Sequence, residues 1–101
     1  YSFEEIFSKQ IEALAIKGDV VLGISTSGQS KNVLKAFQVS KNLGLLTISL
    51  TGGSGGQLKH LSDISLNVGL TTNTAHIQES HIFCIHVICE YVDNHLIQSH
   101  E

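Results

Sequence analysis

Four hydroxyl side chains, Ser25, Thr26, Ser27 and Ser30, fall within one short run, Gly18-Asp19-Val20-Val21-Leu22-Gly23-Ile24-Ser25-Thr26-Ser27-Gly28-Gln29-Ser30. The run passes from an apolar segment into a polar loop that opens a helix. Such a loop suits a phosphate group, because N–H groups at a helix N-terminus point at an anion and the helix dipole favours negative charge. The hydroxyls add donors, and Gly28 permits a tight turn or a close approach of backbone to ligand. No Lys or Arg precedes Lys31 in the loop. It is therefore a neutral cradle for a small phosphorylated metabolite, unlike the lysine-bearing loop of nucleotide hydrolases. The same residues would also serve as a turn and N-cap with no ligand, since Ser and Thr satisfy orphan helix N–H groups unaided.

Gln78 and His86 form a second candidate set, on one line of a predicted helix with Ile82 between them. At 1.5 Å rise per residue they stand about 12 Å apart along the axis. They could share a ligand or a metal only by leaning toward a common point. An imidazole can titrate near neutral pH, which makes His86 the candidate general acid/base. Read alone, the pair fits a surface amide and a satisfied core histidine better than a site.

The elements that must position these residues follow from periodicity and glycine punctuation. A helix over 3–17 offers Ile6, Ile11, Leu14 and Ala15 to a buried face and ends at Gly18. The apolar run 20–24 is that of a central parallel strand covered on both faces. A helix over 30–43 sets Val33, Ala36 and Phe37 at i, i+3, i+4 and stops at Gly44. A second strand over 45–50 leads to a glycine-rich loop, 52–62, with a short helical turn around Leu58. The third strand, 63–68, lies nearer an edge, and Asp19 and Asp63 cap or terminate elements. Residues 71–74 are a polar connection able to cap the last helix, 75–97. There Ile77, His81, Cys84, Ile85, Ile88, Val92 and Leu96 make one stripe, while Ile82, Val87 and Cys89 spread apolarity further round. Such a helix is expected to be buried or packed against a partner chain. The order implies a three-layer α/β domain with a parallel sheet, whose ligands sit beyond the C-terminal strand ends. Both 25–30 and Thr51-Gly52-Gly53 fall at that end.

The 101 residues allow one domain, and 42% hydrophobic content is enough for a core. A net charge of −3 with six Lys and Arg argues against a broad nucleic-acid footprint. No apolar run reaches the roughly 20 residues of a membrane span, and no signal peptide is visible. Cys84 and Cys89 are five apart on one helix, which points them away from each other; reduced core thiols of a cytosolic protein are expected.

The glycine–hydroxyl run resembles the signature of sugar isomerase (SIS) domains, and among them most closely the phosphoheptose isomerases. A second block agrees: Leu45-Leu46-Thr47-Ile48-Ser49-Leu50-Thr51-Gly52, then Gly55-Gly56 and Asp63-Ile64-Ser65-Leu66-Asn67-Val68. A third is Ile77-Gln78-Glu79-Ser80-His81-Ile82, with His86 further along. The blocks keep the family's order and spacing from about Phe3 to about Leu96. The resemblance implies a flavodoxin-like α/β/α SIS fold. The family is longer by an N-terminal half, so residues 1–101, which start at Tyr1 and contain no Met, are expected to be the C-terminal part of one such domain.

The implied reaction is the aldose–ketose isomerisation of sedoheptulose 7-phosphate to D-glycero-D-manno-heptose 7-phosphate. The implied setting is the cytoplasm, where a homotetramer supplies precursors of ADP-heptose for lipopolysaccharide or capsule. By the same resemblance Ser25, Thr26, Ser27, Ser30 and Gln78 bind the sugar phosphate. Gln78 and His86 help to hold zinc with a His and a Glu of the N-terminal half, and His86 transfers protons. The 101 residues alone are expected to be metal-poor and inactive. No nucleic-acid or membrane partner is implied. Ala75-His76 stands where the family commonly has Asp-Arg, which leaves the substrate open. Two alternatives remain at this point. One is a non-catalytic SIS protein that binds a replication initiator, a relative with Asn in place of His86; the other is a sugar-phosphate sensor that needs the serine loop but neither His86 nor zinc. His76, His81, His95 and His100 are expected at unspecific surface or core positions. Glu79 fits a carboxylate that supports a ligand-holding side chain or a solvated one equally well.

Overall fold

Three β-branched and aliphatic segments, each entered from a turn, pair as parallel strands in the computed structural model, which describes residues 2–99. They are β1 (Val20–Ser25), β2 (Leu46–Gly52) and β3 (Ile64–Val68), in spatial order β1-β2-β3. The register runs from Val20 opposite Leu46 to Ser25 opposite Thr51, and from Ile48 opposite Ile64 to Gly52 opposite Val68. A 3₁₀ turn, Phe3–Glu5, leads into α1 (Ile6–Leu14). Then follow α2 (Lys31–Asn42), α3 (Gly56–Leu61) and α4 (Thr74–Ser99).

Local chemistry fixes the boundaries. Asp19 Oδ2 accepts from Ile16 N–H at 2.9 Å, and Asp19 N–H donates to Ile16 O at 3.1 Å. This turn takes the chain out of the helix early: α1 ends at Leu14 with Ala15 extended, before the expected stop at Gly18. Asp63 clamps the start of β2, its Oδ2 accepting from Thr47 N–H at 2.8 Å and Thr47 Oγ1 at 3.2 Å. Asn73 Oδ1 caps α4 by accepting from Ala75 N–H at 3.0 Å and His76 N–H at 3.3 Å. Lys35 Nζ donates to Glu5 Oε1 at 3.0 Å, tying the 3₁₀ turn to α2. That bond and the ammonium charge hold the Glu5 carboxyl below its ordinary value.

Parallel register puts alternate residues of neighbouring strands on one face. The face under α2 and α3 carries Gly23, Ser25, Thr47, Ser49 and Thr51, all buried, and Phe37 is fully buried over it. Gly23 leaves the room for that ring: a Cβ there would lie 2.4 Å from Phe37 Cε1. The other face is aliphatic throughout, with Val20, Leu22 and Ile24 beside Leu46, Ile48 and Leu50, then Ile64 and Leu66. Only where the first turns of α4 cross β2 is it sealed, with Leu50 and Ile77 buried; the outer residues Val20, Ile24, Leu46 and Ile64 stay 43–54% exposed. α4 thus begins the third layer without completing it.

This corrects the expectation that 20–24 is a central strand covered on both faces. Among the described residues β2 is central, β1 is an edge, and a single helix is available for the aliphatic face. The last helix is likewise less buried than its stripe implied. Ile77 and His81 are buried and Cys84, Ile85 and Ile88 half-buried, but Val92 and Leu96 are exposed. The 26 residues of α4 extend about 39 Å, beyond the end of the sheet. The 14.4 Å radius of gyration reflects it, against about 13 Å for a compact chain of this length. In α1 the buried residue is Ser8, whereas Ile6 and Leu14 are exposed and Ile11 is half-buried. Both cysteines are free, as expected, but Cys89 lies at the surface and only Cys84 is partly covered. No helix among the described residues is long and apolar enough to cross a membrane.

The close fit of Gly23 under Phe37 generates a double-mutant test. Gly23→Ala should cost about 1–3 kcal/mol by overpacking, and Phe37→Ala about 3–5 kcal/mol by opening a cavity. In the Phe37→Ala background the added methyl should lose most of its cost, so urea midpoints should reveal a double mutant well short of additive. Simple additivity would mean that the ring does not lie over Gly23.

Candidate functional site

The loops after β1 and β2 emerge side by side at the C-terminal edge of the sheet and meet backbone to backbone. Gly28 has φ +69°, and a Cβ on it would fall on Gly55 O, only 1.9 Å away. Leu58 N–H donates to Gly28 O at 3.0 Å, and Gly52 N–H to Thr26 O at 2.9 Å. Only glycine meets both demands at position 28, a left-handed φ and the absence of any side chain.

Within the first loop the hydroxyls divide their work. Ser25 is buried; its Oγ accepts from Gly28 N–H at 3.1 Å and shares a hydrogen bond of 2.8 Å with Ser30 Oγ. Ser27 Oγ accepts from Gln29 N–H at 3.1 Å and remains exposed. Ser30 is the N-cap of α2, with extended backbone and no side-chain cap bond, its hydroxyl being directed to Ser25. Thr26 and Ser27 line a cleft of about 330 Å³ with Gly52, Gly53, Ser54, Thr72, Thr74 and Ile77. Among the described residues no charged side chain borders it, and its polar lining is made of hydroxyls and peptide groups. Ser25 and Ser30 shape the loop from behind and do not face this cleft; Ser30 borders a separate hollow with Ser2, Phe3 and Lys31.

α4 forms one wall. Ile77 sits directly on Gly52, where a Cβ would lie 2.7 Å from Ile77 Cδ1. One turn on, His81 is 2% exposed, and its Nε2 is 2.8 Å from Thr51 O. Gln78 and His86 are exposed, Gln78 beside this buried line and His86 on the opposite side of α4, with exposed Ile82 between them. Neither side chain makes a hydrogen bond among the described residues. His86 is therefore no core histidine. Among the described residues no three His, Cys, Asp or Glu side chains come together in a way that could hold a metal ion. Ala75, His76 and Glu79 are exposed near the start of the helix. Tyr91 and His95 stack near its far end, with centroids 6.4 Å apart. His100 lies outside the described residues.

Ser54, Thr72 and Thr74 were not singled out from the sequence as lining a site. Their signal is the polar spacing of Thr72-Asn73-Thr74 before a helix, which serves capping equally well. His81 carried no signal that set it apart from the other histidines, because its partner is a carbonyl thirty residues away.

A family model described as a SIS domain matches residues 1–52. A phosphoheptose isomerase of Helicobacter pylori strain HPAG1 is 52% identical over 95 residues, 94% of this chain and 49% of the relative. A probable phosphoheptose isomerase of Thermoplasma acidophilum is 54% identical over 93 residues, 92% of this chain and 50% of the relative. Among solved structures, the phosphoheptose isomerase of Neisseria gonorrhoeae superposes with a TM-score of 0.86 at 43% identity, covering 91% of this chain and 52% of that one. That of Francisella tularensis gives 0.86 at 41%, covering 93% and 50%. The chain spans about half the length of the curated relatives it matches. With a parallel sheet, glycine-packed loops and a family match over more than half its residues, the chain belongs to the SIS-domain family.

Proposed function

We propose that the protein is a phosphoheptose isomerase that converts sedoheptulose 7-phosphate to D-glycero-D-manno-heptose 7-phosphate, for ADP-heptose and the lipopolysaccharide or capsule precursors made from it in the cytoplasm. The observation that carries this reading is the uncharged, hydroxyl-lined cleft at the strand ends, walled by the helix that bears Gln78 and His86. The names and identities of the relatives support the same reading.

Thr26 and Ser27 donate to the phosphate, with Ser25 and Ser30 holding the loop in the shape that presents them. Gln78 contacts the sugar end. The chemistry moves a proton between C1 and C2 of the substrate through an enediol. His86 carries a proton on an imidazole nitrogen and acts as general acid/base, a role that requires it to be unspent on internal bonds. An amide oxygen and a neutral imidazole are both acceptable zinc donors, and exposed, unbonded Gln78 and His86 fit as two ligands of such an ion. Two donors alone hold zinc poorly, so the remaining ligands come from outside these residues. When bound, zinc would polarise the substrate carbonyl as a Lewis acid. The aliphatic sheet face and the exposed Phe83, Val87, Tyr91 and Val92 of α4 supply apolar surface for a homotetramer.

Conversion of sedoheptulose 7-phosphate by the full-length gene product, supplied with zinc, tests the reading. His86→Asn should lower kcat by about 10²-fold or more while leaving sugar-phosphate binding in place. Full turnover in that variant would remove His86 from the chemistry. Binding without turnover in the unsubstituted protein would favour a sensor or a partner-binding SIS protein. A separate expectation concerns the cradle. Gly28→Ala should raise KM about tenfold or more, equivalent to ~1.4 kcal/mol, because the methyl drives the loop off Gly55 O. An unchanged KM would place phosphate binding elsewhere.

A further inference from the structure

His81 is the one buried histidine of α4, and its two nitrogens differ. Nε2 is 2.8 Å from Thr51 O, whereas Nδ1 is buried with no partner among the described residues. A carbonyl oxygen can only accept, so Nε2 donates the hydrogen bond, and Nδ1 is left without a partner. A buried polar nitrogen without a partner is unfavourable, and an aliphatic side chain would fill the same space without that penalty. What the imidazole adds is one directed bond.

The far end of that bond matters. The Thr51–Gly52 peptide accepts from His81 at its carbonyl and donates from its N–H to Thr26 O at 2.9 Å. A single peptide group therefore couples α4 to the loop of Thr26 and Ser27, and hydrogen bonds at the two ends of one peptide polarise each other. Ile77, one turn before His81, presses on Gly52 from the same side. Gln78 immediately follows Ile77, and His86 lies further along the same rigid helix.

We propose that His81 is a positioning residue: through the Thr51–Gly52 peptide it sets the distance between the hydroxyl loop and the turns of α4 that carry Gln78 and His86. Its catalytic consequence rests on the isomerase reading above; its structural consequence does not.

The test compares His81→Met, which fills the space without a donor, with His81→Gln, which restores a donor, in the full-length protein. His81→Met should keep the thermal midpoint and the KM for sedoheptulose 7-phosphate but lower kcat by about tenfold or more, since small misplacements of reacting groups cost that much. His81→Gln should recover most of the loss. Deuterium exchange of the segment 50–54, followed by mass spectrometry, should quicken in His81→Met and slow again in His81→Gln as the Gly52 amide loses and regains its hold on Thr26. If His81 were core filling alone, His81→Met would match the unsubstituted protein in both kcat and exchange, and the proposal would fall. If the unsubstituted protein shows no turnover, the isomerase reading fails, and the exchange result alone decides the role of His81.

Discussion

The site depends on two loops that touch without side chains between them. Gly28 and Gly55–Gly56 bring the backbone after β1 against the backbone after β2, closely enough that a single Cβ at position 28 would overlap a carbonyl oxygen. Parallel pairing of β1 with β2 makes this contact possible, because it delivers both C-terminal strand ends to one edge. The hydroxyl loop is then held from three directions: by Leu58 N–H on Gly28 O, by Gly52 N–H on Thr26 O, and from within by Ser25. A loop held in this way can present neutral donors in a fixed arrangement without a lysine, at little cost in ordering when a ligand arrives.

The sheet distributes its chemistry unevenly between its faces. Helices α2 and α3 cover the side rich in Gly, Ser and Thr, where short side chains allow Phe37 and Leu58 to come close. The side that is aliphatic in every row has only the beginning of α4 over it. Burial of apolar surface is worth about 25 cal/mol per Å², so a face of this composition is built to be covered. The relatives extend to about twice this chain's length; among the described residues the β1 edge and the outer aliphatic rows are left open.

Much of this was readable in advance from residue type and spacing. Val33, Ala36 and Phe37 announced the buried face of α2. Gly44, with φ +74°, ended that helix as a left-handed glycine does, and Leu58 marked the short α3. Two things were not readable. The end of α1 depends on Asp19 reaching back to Ile16, a turn that competes with the last helical turn and leaves no periodic trace. The edge position of β1 among the described residues is the other, because an apolar run states only that both faces favour cover, not whether these residues supply it. In the site, the hydroxyl cluster was visible, but its division into Thr26 and Ser27 at the cleft and Ser25 behind them is set by burial.

The composition of α4 makes sense in the same terms. A helix with one dry face would need only a narrow apolar stripe, and this one is apolar around most of its circumference. Its first turns use Ile77 and His81 to grip the end of β2, and that grip sets the angular position of everything that follows on a rigid rod. Gln78 and His86 stand 100° and 180° round from Ile77 at 100° per residue, so Gln78 lies on the flank and His86 on the side of the helix opposite the Ile77 contact, both exposed. Both are free of hydrogen bonds among the described residues, and the exposed Ile82 between them offers no local partner. The anchoring side of the helix and its open side are thus distinct, which is why a buried, bonded histidine and an exposed, unbonded one can stand five residues apart on one helix.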